Sequence, residues 1–94
     1  MLHIGVLQFS MEIPWARSLK DKRGVVRSLK DRSRRKFNIS IAEIEDLEEI
    51  TTATLAAVIA GNDVAYLNGA LDKLQETLRS WPDAELTDYS LEIL

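Results

Sequence analysis

The composition of this 94-residue chain is that of one small folded domain. Hydrophobic residues make up 46% of it and charged residues 29%, which are typical proportions for a globular protein. There is no cysteine, so disulfides, thiolate chemistry and cysteine-based zinc sites are excluded. The net charge of −3 favours no class of partner by itself. We expect a single domain over residues 1–94 that buries one core.

The beginning of the chain does not have the features of a targeting signal. Its first thirteen residues include Glu12, and they lack a basic leading region and a small-residue cleavage motif. No apolar run approaches the roughly 20 residues that are needed to cross a bilayer. We therefore expect a cytoplasmic protein that does not contact a membrane.

The first strand and the first helix are predicted from two different periodicities. Apolar residues alternate at positions 7, 9, 11 and 13, which predicts a strand with one buried face that ends at Pro14. Ser18 then offers a helix N-cap, with Asp21 three residues later in a variant of the capping box. Apolar or small residues recur at helical spacing as far as Phe37. Asn38 is expected to follow this helix in a left-handed conformation.

The rest of the chain predicts three more strands and a second helix. A strand with a bulge or a frayed edge is expected from residue 39 to about residue 44. A central strand is expected over about residues 51–60, since both of its faces are apolar or small. The Gly-Asn-Asp sequence at 61–63 precedes a helix, and residues 85–94 alternate again. The apolar seam of this second helix is Val64, Leu67, Leu71, Leu74, Leu78 and Trp81.

The predicted order of elements is therefore β-α-β-β-α-β. With two right-handed crossovers, this order gives a ferredoxin-like sandwich. We expect an α+β fold in which a four-stranded antiparallel sheet carries both helices on one face. The first and third strands would be central, which agrees with their being the most apolar strands of the chain.

The basic residues are concentrated in the first helix. Residues 17–36 contain ten of the twelve lysines and arginines and only two acidic residues, a charge of +8, which leaves −11 for the rest of the chain. Five of these cations are spaced three, four, three and four residues apart and form one line along the helix, which we call the basic ridge: Lys20, Arg23, Arg27, Lys30 and Arg34. A line of cations favours a polyanion over a small ligand.

Three interpretations of the basic ridge remain open. It binds nucleic acid, or it pairs with carboxylates of the same chain or of a second subunit, or it is a solvated surface. The candidate acidic partners are Glu43, Glu45, Asp46, Glu48 and Glu49. In the first interpretation Arg17 and Lys22 assist the ridge, so the predicted nucleic-acid contacts are Arg17, Lys20, Lys22, Arg23, Arg27, Lys30 and Arg34.

No other group of residues indicates a chemical function. His3 is the only histidine, and no motif places it beside a serine. The acidic residues 43–49 lack the spacing and the glycine of a calcium loop. The central strands are not expected to place aromatic residues on the open sheet face, so RNA recognition by base stacking on the sheet is not expected. We predict a protein that is not an enzyme, with no catalytic residue, metal site, cofactor or small-molecule substrate.

Several short motifs resemble the bacterial YlxP-like proteins. They are Ile-Gly-Val-Leu at 4–7, Ile-Pro at 13–14, Ser-Leu-Lys-Asp-Lys-Arg at 18–23, Phe-Asn-Ile-Ser-Ile-Ala-Glu at 37–43 and Gly-Asn-Asp at 61–63. That family usually has glutamate in place of Asp21. The resemblance implies a ferredoxin-like fold and no known catalytic residues. The genes of the family often lie beside those for a translation initiation factor and a ribosome-maturation factor, which implies a role near the ribosome or its RNA.

We therefore expect a non-catalytic, RNA- or ribosome-associated accessory protein that binds the phosphate backbone through its first helix. The alternative is a protein-interaction or homo-oligomerisation module with no nucleic-acid role. In that case a homodimer would form through the sheet face or through opposite charges on two subunits.

Overall fold

The computed structural model describes residues 1–94 and contains six elements in the predicted order. They are β1 His3–Glu12, α1 Leu19–Lys36, β2 Ser40–Glu45, β3 Thr52–Gly61, α2 Val64–Arg79 and β4 Glu85–Ile93. The strands form one sheet in the order β2-β3-β1-β4, and every neighbouring pair is antiparallel. The predicted ferredoxin-like α+β fold is confirmed, with β1 and β3 in the centre.

The core lies between the sheet and the two helices. Leu7, Phe9 and Met11 of β1 point into it and are at most 2% exposed, so the predicted alternation is confirmed. In the register of the sheet they stand opposite alternate residues of β3, all fully buried: Ala57, Leu55 and Ala53. Helix α2 contributes the four leucines of the predicted seam, all fully buried: Leu67, Leu71, Leu74 and Leu78. Val64 is exposed in the first turn, and Trp81 is buried but lies beyond the end of the helix.

Both helices begin at side chains that accept backbone hydrogen bonds. Ser18 Oγ accepts from the N–H of Asp21 at 3.1 Å, and the Asp21 carboxylate accepts from the N–H of Arg17 at 3.0 Å. The first bond satisfies a donor that the first turn leaves without a partner, and the second fixes the chain just before the cap. The predicted cap of α1 is confirmed, and Asp63 caps α2 by accepting from the N–H of Ala65 at 3.0 Å.

The prediction of a left-handed Asn38 after α1 is wrong. The helix ends at Lys36 and the next residue, Phe37, is already extended, with φ −128° and ψ 142°. Phe37 donates its N–H to Ser33 O at 2.8 Å and packs against the core. Asn38 does not have a positive φ, so the chain passes from α1 into β2 without a left-handed residue.

The predicted irregularity in β2 is confirmed. The pairing of β2 with β3 shifts register between Glu43 and Glu45, which is the behaviour of a β-bulge. Glu43 stands opposite Leu55, a core residue, whereas Glu45 stands opposite Thr54 on the other face. The bulge therefore lets two acidic residues, only two positions apart, lie on opposite faces of the sheet.

Candidate nucleic-acid interface

Helix α1 buries one side and exposes the basic ridge on another. Its buried residues are Lys22, Val25, Val26, Leu29 and Ser33. At 3.6 residues per turn, the ridge lies about 120° around the helix axis from the centre of this stripe. At the end of the ridge, Arg34 Nη2 donates to Ile41 O at 3.0 Å, which shows that the ridge runs along the side of α1 nearest to β2.

Four of the five ridge cations have no acidic partner in the chain. Lys20, Arg23 and Arg27 are exposed and Lys30 is half-buried. Neither of the two ion pairs in the structure includes any of them. The interpretation that acidic residues of the same chain neutralise the ridge therefore does not hold for these four.

Arg17 and Arg34, the first and last cations of the predicted interface, differ in whether other groups of the chain bind their side chains. Arg34 bonds to the Ile41 carbonyl of the edge strand β2, and its Nη1 lies 3.8 Å from Asp31 Oδ1. Arg17 lies before the first turn of α1 and is exposed, and its side chain makes no hydrogen bond. Arg34 is therefore partly engaged by its own chain, whereas the Arg17 guanidinium is available to a ligand.

Lys22 lies outside the interface, contrary to the prediction. Its side chain is 1% exposed, and Nζ lies 2.9 Å from Glu43 Oε2. Nζ also donates to Asp46 O at 2.8 Å and to Thr52 O at 3.1 Å. A buried ammonium needs such partners, because an unpaired charge in the interior costs several kcal/mol. Lys22 is thus a structural residue that cannot reach phosphate.

The partners of Lys22 hold the connection between β2 and β3 against α1. Asp46 has a φ of 60°, a left-handed conformation that aspartate tolerates better than most residues. Its carbonyl accepts both from Lys22 and from the N–H of Glu49, at 3.0 Å in the second case. Its carboxylate accepts from Thr54 Oγ1 at 2.8 Å. The connection is therefore fixed at both the main chain and the side chain of Asp46.

The spacing of residues in α1 contained the evidence that Lys22 is buried. Lys22, Val26, Leu29 and Ser33 recur at intervals of four, three and four, which is the pattern of one buried stripe. A lysine on such a stripe predicts a buried acidic partner. The position of Lys22 within the charged motif at 18–23 favours a contact with nucleic acid instead.

The face of the sheet that points away from the helices does not suit RNA. Ser10 stands opposite Thr54 on one side and Asp88 on the other, and these residues line a shallow depression of about 320 Å³ together with Glu45 and Asp46. The central strands place no aromatic side chain on this face. Carboxylates repel phosphate, and bases have no ring to stack on there.

The sequence of the chain matches a known family over nearly its whole length. The family model described as "Protein of unknown function (DUF503)" matches residues 4–91. The chain belongs to this family. No curated protein matches the DUF503 chain. Neither α1 nor α2 combines the length and the apolarity that spanning a membrane requires.

Replacing Lys22 in the DUF503 chain by methionine should destabilise the fold by about 3–5 kcal/mol. The change removes a buried ammonium and leaves the Glu43 carboxylate, which is 13% exposed, without its counter-charge. Denaturant unfolding followed by circular dichroism measures the effect. Adding Glu43→Gln to Lys22→Met should recover much of the loss, because no buried charge then remains.

The matched control is Lys20→Met, two positions away on the exposed side of the same helix. Surface substitutions of this kind change the free energy of unfolding by less than about 0.5 kcal/mol. Equal stability of the Lys22→Met and Lys20→Met variants would contradict the structural role of Lys22.

Proposed function

We propose that this DUF503 protein is a non-catalytic accessory protein that binds structured RNA through phosphate contacts of the basic ridge. The observation that carries the proposal is the unpaired state of Lys20, Arg23, Arg27 and Lys30, which lie in one line with no carboxylate at ion-pair distance. Arg17, which is exposed just before the helix, adds a cation near its start. Arg34 contributes the part of its guanidinium that Ile41 does not use.

The repulsion within the ridge supports a polyanionic partner. Neighbouring like charges at i,i+3 and i,i+4 each destabilise a helix by roughly 0.2–0.5 kcal/mol, and the five cations form four such neighbours. The total for the free protein is therefore roughly 1–2 kcal/mol. A polyanion along the helix removes the repulsion at every position, whereas a single small anion removes it at one.

The dimensions of the ridge also suit a nucleic-acid backbone. From Lys20 to Arg34 the helix rises about 21 Å at 1.5 Å per residue. A duplex carries one phosphate charge for every ≈1.7 Å of its axis in the case of B-form DNA, so a ridge of this length meets several phosphates. Contacts of this kind position a protein on a nucleic acid without selecting a sequence.

The choice of RNA rests on the resemblance to YlxP-like bacterial proteins. We propose that the chain is a protein of this kind and acts near the ribosome. The 18–23 motif supports this assignment through Lys20 and Arg23, which belong to the ridge. Lys22 of the same motif supports only the fold, because it is buried beside Glu43.

Removing three ridge charges should abolish most of the RNA binding. For about four neutralised phosphates, the log–log dependence of affinity on salt should have a slope of about −3 to −4. The variant Lys20→Gln/Arg23→Gln/Arg27→Gln should lower the magnitude of this slope by about 2–3 and leave the fold at least as stable, since like-charge repulsion is relieved. Fluorescence anisotropy with a labelled RNA hairpin at several salt concentrations measures the slope.

The control variant carries the same change in net charge at positions away from the ridge, namely Arg35→Gln/Lys36→Gln/Lys73→Gln. It should keep most of the salt slope. Equal losses in both triple variants would mean that only the overall charge matters, and undiminished binding by the ridge variant would exclude the ridge as the interface.

A second candidate is self-assembly, which one feature of the end of β2 and the connection to β3 favours. Ile44, Leu47 and Ile50 are exposed by 40%, 56% and 39% and alternate with acidic residues that form no ion pair: Glu45, Asp46, Glu48 and Glu49. The connection of one copy and the basic ridge of another are opposite in charge. This arrangement supports a dimer in which ionic contacts contribute.

Sedimentation velocity at low and at high salt distinguishes the two candidates. RNA binding as the primary role predicts a monomer at both salt concentrations, because the ridge has no protein partner. Salt-sensitive dimerisation, lost in the Lys20→Gln/Arg23→Gln/Arg27→Gln variant, would favour self-assembly instead.

A further inference from the structure

A cleft separates the C-terminal half of α1 from α2, on the side of α1 opposite to the basic ridge. Its outer part has a volume of about 570 Å³, within the usual range for small-molecule sites. A smaller cavity of about 120 Å³ adjoins it and shares three of its lining residues: Lys36, Phe37 and Thr77. The two cavities therefore lie side by side, and we call the larger one the outer part of the cleft and the smaller one its narrow end.

The charges around the cleft favour an anion. Arg32 and Lys36 line the narrow end, and Lys73 lines the outer part. None of the three forms an ion pair, and Glu76 is the only acidic residue on the cleft wall. Arg32 is held in place by its position over the Trp81 ring, with Cζ 4.3 Å from the ring centroid.

The outer part of the cleft suits a flat ring. Phe37 and Tyr66 supply aromatic side chains to its wall, and Tyr66 is 65% exposed. Small residues on α2 keep the space between them open, since a Cβ added at Gly69 would meet nothing within 4 Å. Aromatic side chains bind rings through stacked or edge-to-face contacts.

We propose that this cleft binds a small molecule that combines a flat ring with a terminal anionic group, such as a nucleoside monophosphate. The anionic group enters the narrow end, where the cations of Arg32 and Lys36 meet it. The ring lies in the outer part, against Phe37 and Tyr66. The site is independent of the basic ridge, because the ridge lies on the β2 side of α1.

Titration of the intact chain with adenosine monophosphate tests the proposal, with calorimetry for affinity and amide chemical shifts for location. We expect saturable binding, with shifts confined to residues 32–37 and 65–81. Adenosine has the ring without the anionic group, and inorganic phosphate has the anionic group without the ring. Each should therefore bind at least about tenfold more weakly than adenosine monophosphate. Absence of saturable binding by adenosine monophosphate would overturn the proposal.

Two substitutions test the narrow end, and a third variant serves as the control. Arg32→Gln and Lys36→Gln should each weaken binding by about tenfold, the loss of one ionic contact. The control Lys20→Gln/Arg23→Gln should bind adenosine monophosphate as the unmodified chain does. Unchanged affinity in Arg32→Gln and Lys36→Gln, or an equal loss in the control, would contradict the site.

Discussion

The burial of the Lys22 ammonium is the constraint on which the arrangement of α1 depends. This helix carries most of the basic residues of the chain, and a rotation about its axis would change which of them face the sheet. Lys22 is the only basic residue that is buried. Its counter-charge comes from Glu43, and its carbonyl acceptors come from Asp46 and Thr52. Because an unpaired buried charge is costly, this contact selects one rotation of α1. The outward direction of the basic ridge follows from it.

That rotation gives α1 two functional sides with different chemistry. The side near β2 presents an extended line of cations and no aromatic ring, which matches a polyanion that is recognised by charge alone. The side near α2 presents a concave cleft in which cations accompany Phe37 and Tyr66. A concave surface with aromatic rings matches a small ligand that is recognised by shape as well as by charge. Our two proposals thus concern opposite sides of one helix.

The features predicted well from the sequence depend on neighbours along the chain. The alternation of β1 identified Phe9 as a core residue, and Ser18 was correctly placed at a helix start because its bond partner lies three residues away. Lys22 and the cleft depend on residues brought together by the fold: Glu43 lies 21 positions from Lys22, and Thr77 lies 44 positions from Ser33. The spacing of residues within one helix or strand does not reveal contacts between elements. The sequence therefore predicts that the charge of Lys22 lies on the surface.

Chemical modification of the lysines, read by mass spectrometry with and without an RNA hairpin, tests the central claim most directly. Lys20 and Lys22 are two residues apart in one helix, yet we assign the first to the ligand and the second to the core. The account predicts that Lys20 reacts readily in the free protein and is protected by RNA, whereas Lys22 stays unreactive in both samples until the protein unfolds. Ready modification of Lys22 in the folded protein, or no protection of Lys20 by RNA, would contradict it.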